Sequence, residues 1–213
     1  MARRIKEEPE VHRIRIADAA EQIFMEKGIG NTSMDAVAKA AGYSKATLYV
    51  YFKNKEELVD YLVLRSITYL KDYIVDGITK YAGYEERFYE LCRSMVRYQR
   101  KYPYYFSLVL QKIEFDTGDT SRDNNNAAYY VVEQINRYIL QFIKDGIKAG
   151  EYRDDIADVP TLFGLWGMIS GIINIAVNKE EYIGKTMCLS ADEFMEGNFK
   201  LLYESIRKKN TCD

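Results

Sequence analysis

"TSMDAVAKAAGYSKATLYVYFKNKEEL", residues 32–58, is where the fold is decided. Thr32-x-x-Asp35 reads as a capping box, so a helix starts there. Met34, Val37, Ala38 and Ala41 supply its buried side. Gly42 permits the positive φ of a tight helix end. Ser44 is a good N-cap for a second short helix, on which Leu48 and Phe52 lie four apart and point inward together. Asn54-x-x-Glu57 can cap a third helix. Ala38 and Ala41 are small where the first two helices must pass closely. Two short helices joined by a glycine turn make a helix-turn-helix.

Lys45, Ala46, Thr47, Tyr49 and Val50 are left on the other faces of the second helix. No acid occurs between Ala36 and Lys55, while Lys39, Lys45, Lys53 and Lys55 put four positive charges on the segment. Lysine offers a point charge for a phosphate, Ser44 and Thr47 can donate to a phosphate or a base edge, and a helix N-terminus favours an anion. Yet residues 1–60 hold ten Lys/Arg and ten Asp/Glu, and the whole chain carries a net charge of -2. A positive patch is therefore a matter of arrangement, with no global field to announce nucleic acid. The alternative is a core helical hairpin with solvated lysines. Tyr49 and Tyr51 are open to either packing or DNA contact.

Working outward, the chain has 213 residues, 47% apolar and 29% charged, with three prolines and thirteen glycines. Those proportions fit a globular protein built of long helices. Cys92, Cys188 and Cys212 are odd in number and form no C-x-x-C, which points to a reducing, cytoplasmic compartment rather than a disulfide framework or cysteine zinc site. "MARRIKEEPE" has no apolar run of a signal peptide. The apolar run Leu162 to Val177 falls short of the roughly 20 residues that span a bilayer, so a buried helix is expected. His12 is the only histidine. A Ser-His-Asp triad, an imidazole zinc site and a Glu-x-x-His metal pair are all excluded from the core. Carboxylates alone can still do acid–base work.

Apolar periodicity gives further helices: one through Ile16, Ala20, Ile23 and Phe24, ended by Gly28, and one through Leu58, Leu62, Ile67, Leu70 and Ile74. "YEERFYELCRSMVRYQRKY" stops before Pro103, and a shorter apolar helix follows from there to Phe115. "DTGDTSRDNNN", residues 116–126, is the clearest loop. A long helix then runs to Gly150 as C-cap. Pro160 fits the first turn of the apolar helix, and Ser190-x-x-Glu193 caps the last. The expectation is an all-α fold of about nine helices with no strand.

The pattern over residues 13–58 resembles the tetracycline-repressor (TetR) family of transcriptional regulators. Ile16, Ala20, Phe24 and Gly28 fit the family's first helix. The quoted stretch fits its helix-turn-helix and the start of its fourth helix, above all in "LYVYFKNKEEL". The resemblance implies a homodimer with one recognition helix per subunit in successive major grooves of a palindromic operator. Residues 1–57 would form the DNA-binding domain and residues 58–213 a helical domain for dimerisation and effector sensing. Carried over by position, the DNA-facing set is Thr32, Ser33, Ser44, Lys45, Ala46, Thr47, Tyr49, Tyr51 and Lys55. Thr32 would start the second helix and meet phosphate, and Lys55 would meet backbone. Tyr51 stands where a histidine is common, and Tyr43 replaces the usual small branched residue of the turn. The implied function is a repressor, not an enzyme, released from its operator by a small, largely apolar or aromatic-binding effector. A ligand-independent architectural factor and a helical small-molecule-binding protein or enzyme are the alternatives. No cofactor, metal or membrane is called for.

Of 19 tyrosines, 16 lie beyond residue 60. They could line an aromatic pocket, with Tyr98, Tyr102, Phe106, Leu110, Tyr138, Phe142 and Trp166 as walls and Glu114 or Asn174 as polar anchors. Ordinary helix packing is the alternative. Gly164, Gly167 and Gly171 allow close helix approach, and with Phe194, Phe199 and Tyr203 they would form a four-helix dimer interface. Intrachain packing serves the same residues. Cys92 and Cys188 read as small buried hydrophobes, with redox sensing as the alternative. The basic "ARRIK" either reaches DNA as an arm or is a tail.

Overall fold

The computed structural model describes residues 7–111 and 123–209, and in these it is all α. Ten helices occupy them: α1 (Pro9–Lys27), α2 (Met34–Ala41), α3 (Lys45–Tyr51), α4 (Lys55–Thr79), α5 (Tyr84–Lys101), α6 (Pro103–Val109), α7 (Asp123–Lys148), α8 (Asp158–Asn178), α9 (Glu180–Met187) and α10 (Ala191–Ile206). The sequence foresaw all but α9, a short helix separated from α8 by Lys179 alone. Asn124, Asn125 and Asn126, read as loop, form the first turn of α7. The basic "ARRIK", Glu114 and Cys212 lie outside the described residues.

The chain divides into two compact units, Met1–Ile67 with Ser107–Tyr129, and Thr68–Phe106 with Tyr130–Asp213. In the first, α1 packs on α2 and α3 around Ile16, Ala17, Ala20, Phe24, Val37, Ala38, Leu48 and Phe52, with Leu58 and Leu62 of α4 also buried. The Ile, Val, Leu and Phe side chains among these contribute about 1.5–3 kcal/mol each when fully buried. Arg65 ties α4 to α1 through Asp18 and Glu21, at 2.7 and 2.8 Å.

In the second unit α8 packs on α5 and α10, with Phe88, Leu91, Leu165, Ile169, Ile173, Phe199 and Leu202 in the core. Gly77 lets α4 and α5 approach closely, since a Cβ there would sit 2.9 Å from Leu91 Cα. Gly146 makes room for the Tyr152 ring in the same way. The end of α10 is tied to the α7–α8 connection by backbone bonds, Arg153 N–H to Ile206 O at 2.9 Å and Lys208 N–H to Glu151 O at 2.8 Å. The apolar helix α8 is 21 residues long, more than the run read from sequence. By length and composition alone it could cross a membrane, and a third of its most apolar window is buried within the chain.

Candidate nucleic-acid interface

The turn between α2 and α3 forms as its residues dictate. Ser33 caps α2, its side chain accepting from Ala36 N–H at 3.2 Å. Thr32, read from sequence as that cap, sits one residue too early. It is 3% exposed and its hydroxyl donates to Gly28 O at 2.9 Å. Its proton is thus directed inward, and Ser33 is the exposed hydroxyl at the start of α2. Gly42 adopts φ 73°, and the next N–H, that of Tyr43, closes the helix end on Ala38 O at 2.9 Å. Ser44 caps α3 by accepting from Thr47 N–H at 3.1 Å, and the two hydroxyls share a 2.8 Å bond. Asn54 caps α4, accepting from Glu57 N–H at 2.8 Å. Glu57 reaches back to Lys53 N–H at 2.7 Å.

Leu48 and Phe52 are fully buried, which fixes the rotation of α3. Lys45 and Ala46 are then exposed, Tyr49 is 42% exposed and Val50 77%. Lys45 is paired with Asp35 of α2 at 2.9 Å, and that hydrogen bond raises its pKa. Lys39 and Lys53 are exposed at the edges of this face. Lys55 is half-buried and donates to Ile29 O and Thr32 O, at 2.9 and 3.2 Å. Its ammonium therefore orders the α1–α2 turn.

Tyr43 and Tyr51 converge on His12 of α1. The Tyr43 hydroxyl lies 2.7 Å from His12 Nδ1, and the Tyr51 ring stacks on the imidazole at 5.1 Å between centroids. The two tyrosine rings meet edge-on at 6.4 Å. Tyr51 is half-buried in this cluster. Arg13 donates to Tyr51 O at 2.8 Å and lies over the Phe52 and Tyr61 rings at 4.4 and 5.2 Å. His12 and Arg13 thus hold α3 from behind, a role the sequence reading missed. No spacing rule exposes a contact across 31 or 38 residues; only the fold brings them together.

The residues read as a pocket separate in the structure. Tyr98, Tyr102 and Phe106 join Tyr69, Tyr73 and Tyr105 in one ring cluster, with neighbouring centroids 5.0–6.5 Å apart. Phe142 belongs to another cluster with Tyr84 and Tyr152, against which the Arg87 guanidinium packs. Leu110, Tyr138 and Asn174 are exposed and Trp166 is half-buried. On the expected dimer face, Gly167 and Gly171 of α8 have open space before them. Phe194 is half-buried, but Phe199 and Tyr203 are 1% and 4% exposed and point into the chain's own core. The outward apolar side chains are instead Phe163, Met168 and Ile175 of α8 and Leu201 of α10. Cys92 is buried, whereas Cys188 is exposed and takes a left-handed φ of 54° at the end of α9. The expectation of a buried Cys188 fails for that reason: the residue serves as a helix terminus.

Against known proteins, residues 16–62 match the model of the bacterial regulatory proteins of the tetR family. The chain is 28% identical over 139 residues to an uncharacterized HTH-type transcriptional regulator, YhgD, of Bacillus subtilis, covering 63% of this chain and 69% of that protein. It is 40% identical over 63 residues to the HTH-type transcriptional regulator TtgR of Pseudomonas putida, covering 30% of each. A solved tetR family transcription regulator from Shewanella sp. PV-4 shares the fold at a TM-score of 0.70 and 18% identity, over 93% of this chain and 99% of that one. Residues 16–62 therefore carry the N-terminal domain of the tetR family of bacterial regulatory proteins. Its helix-turn-helix is a DNA-binding element of that class.

Proposed function

We propose that the protein is a homodimeric repressor whose two copies of α3 enter successive major grooves of a palindromic operator, and which a small apolar or aromatic effector releases. The observation that carries this reading is α3 itself. It is locked from behind by Leu48, Phe52, His12 and Arg13, and its other side is exposed. Within residues 1–57, Ser33, Ser44, Lys45, Ala46, Thr47 and Tyr49 then face DNA, while Thr32, Tyr51 and Lys55 set the geometry.

Residues 58–213 dimerise and sense. Support for dimerisation comes from α8 and α10, which border an open, mostly apolar groove of about 400 Å³ lined by Gly167, Gly171, Ile175 and Leu201. Support for the effector class comes from the tyrosine cluster around Tyr98 and Tyr102, since stacked ring faces suit flat apolar or cationic molecules. An effector that prefers a spacing of the two recognition helices away from about 34–36 Å would release DNA. A hundredfold loss of operator affinity needs only about 2.7 kcal/mol of such preference.

The test is selection of bound duplex from a random pool, followed by competition with a library of aromatic and cationic compounds. An enriched palindrome released by a member of that library is the expected result. Failure to enrich any sequence sinks the DNA reading. Enrichment without release, and without a ligand-dependent thermal shift, leaves a ligand-independent DNA-binding factor.

A further inference from the structure

We propose that Val50, with Ala46 one turn before it, reads thymine methyl groups in the major groove, so that each operator half-site carries thymine opposite this face. The inference rests on the DNA-binding reading above and specifies what the helix recognises. Val50 is 77% exposed, more than any other large apolar side chain among the described residues. It stands on the helix that the fold holds outward by burying Leu48 and Phe52. Ala46 is also exposed and lies four residues earlier, on the same side of α3. Together they form a short apolar strip on a helix where Lys45 and Thr47 beside it are already engaged. Lys45 is paired with Asp35, and the Thr47 hydroxyl is bonded to Ser44.

Of the four bases, only thymine shows an apolar group in the major groove, its C5-methyl. A valine meets such a group well because its branched side chain has little rotamer freedom on a helix to lose on contact. A water-exposed isopropyl at this position has nothing to gain in the free protein. Against a methyl it removes apolar surface from water on both partners.

The experiment begins with the full-length protein and the duplex enriched from a random pool. Each thymine of one half-site is replaced singly by deoxyuridine, which removes the C5-methyl and nothing else. At one or two positions affinity should fall about fourfold, the scale of exposing one methyl. In Val50→Ala the loss at one of those positions should shrink towards none, giving a non-additive cycle. Because Val50 is exposed, Val50→Ala should keep the parent's melting temperature, and the deoxyuridine series on the parent is a test by itself. Tight operator binding with no deoxyuridine effect anywhere would overturn the proposal. So would equal losses in the parent and Val50→Ala. Self-association that depends on Val50 while operator preference does not would assign the strip to protein docking instead. Absence of any enriched sequence would sink the DNA-binding reading itself, a result distinct from these.

Discussion

Lys45 shows how a single residue's partner changes what it can do. Its pairing with Asp35 is exposed on both sides, so solvent screening leaves the pair little to add to folding. It does hold one positive charge away from an incoming phosphate. Asp35→Asn should leave the melting temperature nearly unchanged. It should also strengthen binding to all duplexes and steepen the salt dependence by about one charge in a filter-binding titration. Lys55 behaves differently. With two backbone carbonyls held by its ammonium, Lys55→Ala should cost about 1.5–3 kcal/mol of stability in urea unfolding. A loss of DNA affinity with no loss of stability would return Lys55 to a direct phosphate contact. The caps and the glycine turn were legible in the sequence because each is settled within a few residues. Ser33 displaced Thr32 by a single position, and the burial of Thr32 with its hydroxyl turned to Gly28 O distinguishes them. The His12, Tyr43 and Tyr51 cluster was illegible, since its contacts span the first unit.

At the scale of elements, α4 and α5 are joined by a close approach and a charge cluster. A Cβ at Gly77 would press on the Leu91 backbone and on Glu90 O, which cannot rotate away. Gly77→Ala gains helix propensity of up to about 1 kcal/mol, yet overpacking of about 1–3 kcal/mol should outweigh it. The expected result is a lower midpoint in thermal unfolding. Glu90, 5% exposed, accepts from Lys80 at 2.9 Å and Arg97 at 2.8 Å. Burial pushes its pKa up, but the hydrogen bonds from Lys80 and Arg97 outweigh burial and hold it below the usual carboxylate value. A carboxyl with a depressed folded pKa gives stability that is present above its unfolded pKa and lost as pH falls through the folded one. Glu90→Gln should therefore destabilise at neutral pH and narrow its gap to the parent as pH falls below about 4. Parallel unfolding curves across that range would show the pairing contributes nothing. The helices themselves were legible from period, since long amphipathic patterns survive any packing. The start of α7 was not, because three asparagines favour turns locally and yet are helical here.

At the scale of the whole molecule, α8 and α10 present an apolar groove to solvent. Phe163 and Leu201 are 60% and 70% exposed. Leu201→Glu adds a charge to the α8–α10 groove without entering the core. In the homodimer proposed above it should leave only monomer in sedimentation, with the helix content unchanged. Operator affinity should fall by far more than half, because two linked half-site contacts become one. Unchanged sedimentation would remove α10 from the interface. The sequence pointed to these two helices through the α8 glycines, but it misassigned Phe199 and Tyr203. Their apolar character is the same as that of Leu201, and only the rotation of α10 against α5 and α8 decides which side is the core.

The way α3 is fastened has a consequence for descent. Leu48 and Phe52 carry the packing, while the caps and the α1 anchors lie at its ends or behind it. Lys45, Ala46, Tyr49 and Val50 can therefore be exchanged with little effect on folding, and surface changes of this kind usually stay within about 0.5 kcal/mol. A duplicated copy of the gene could thus acquire a new target sequence in a few steps, each viable, without first being rescued by a stabilising change elsewhere.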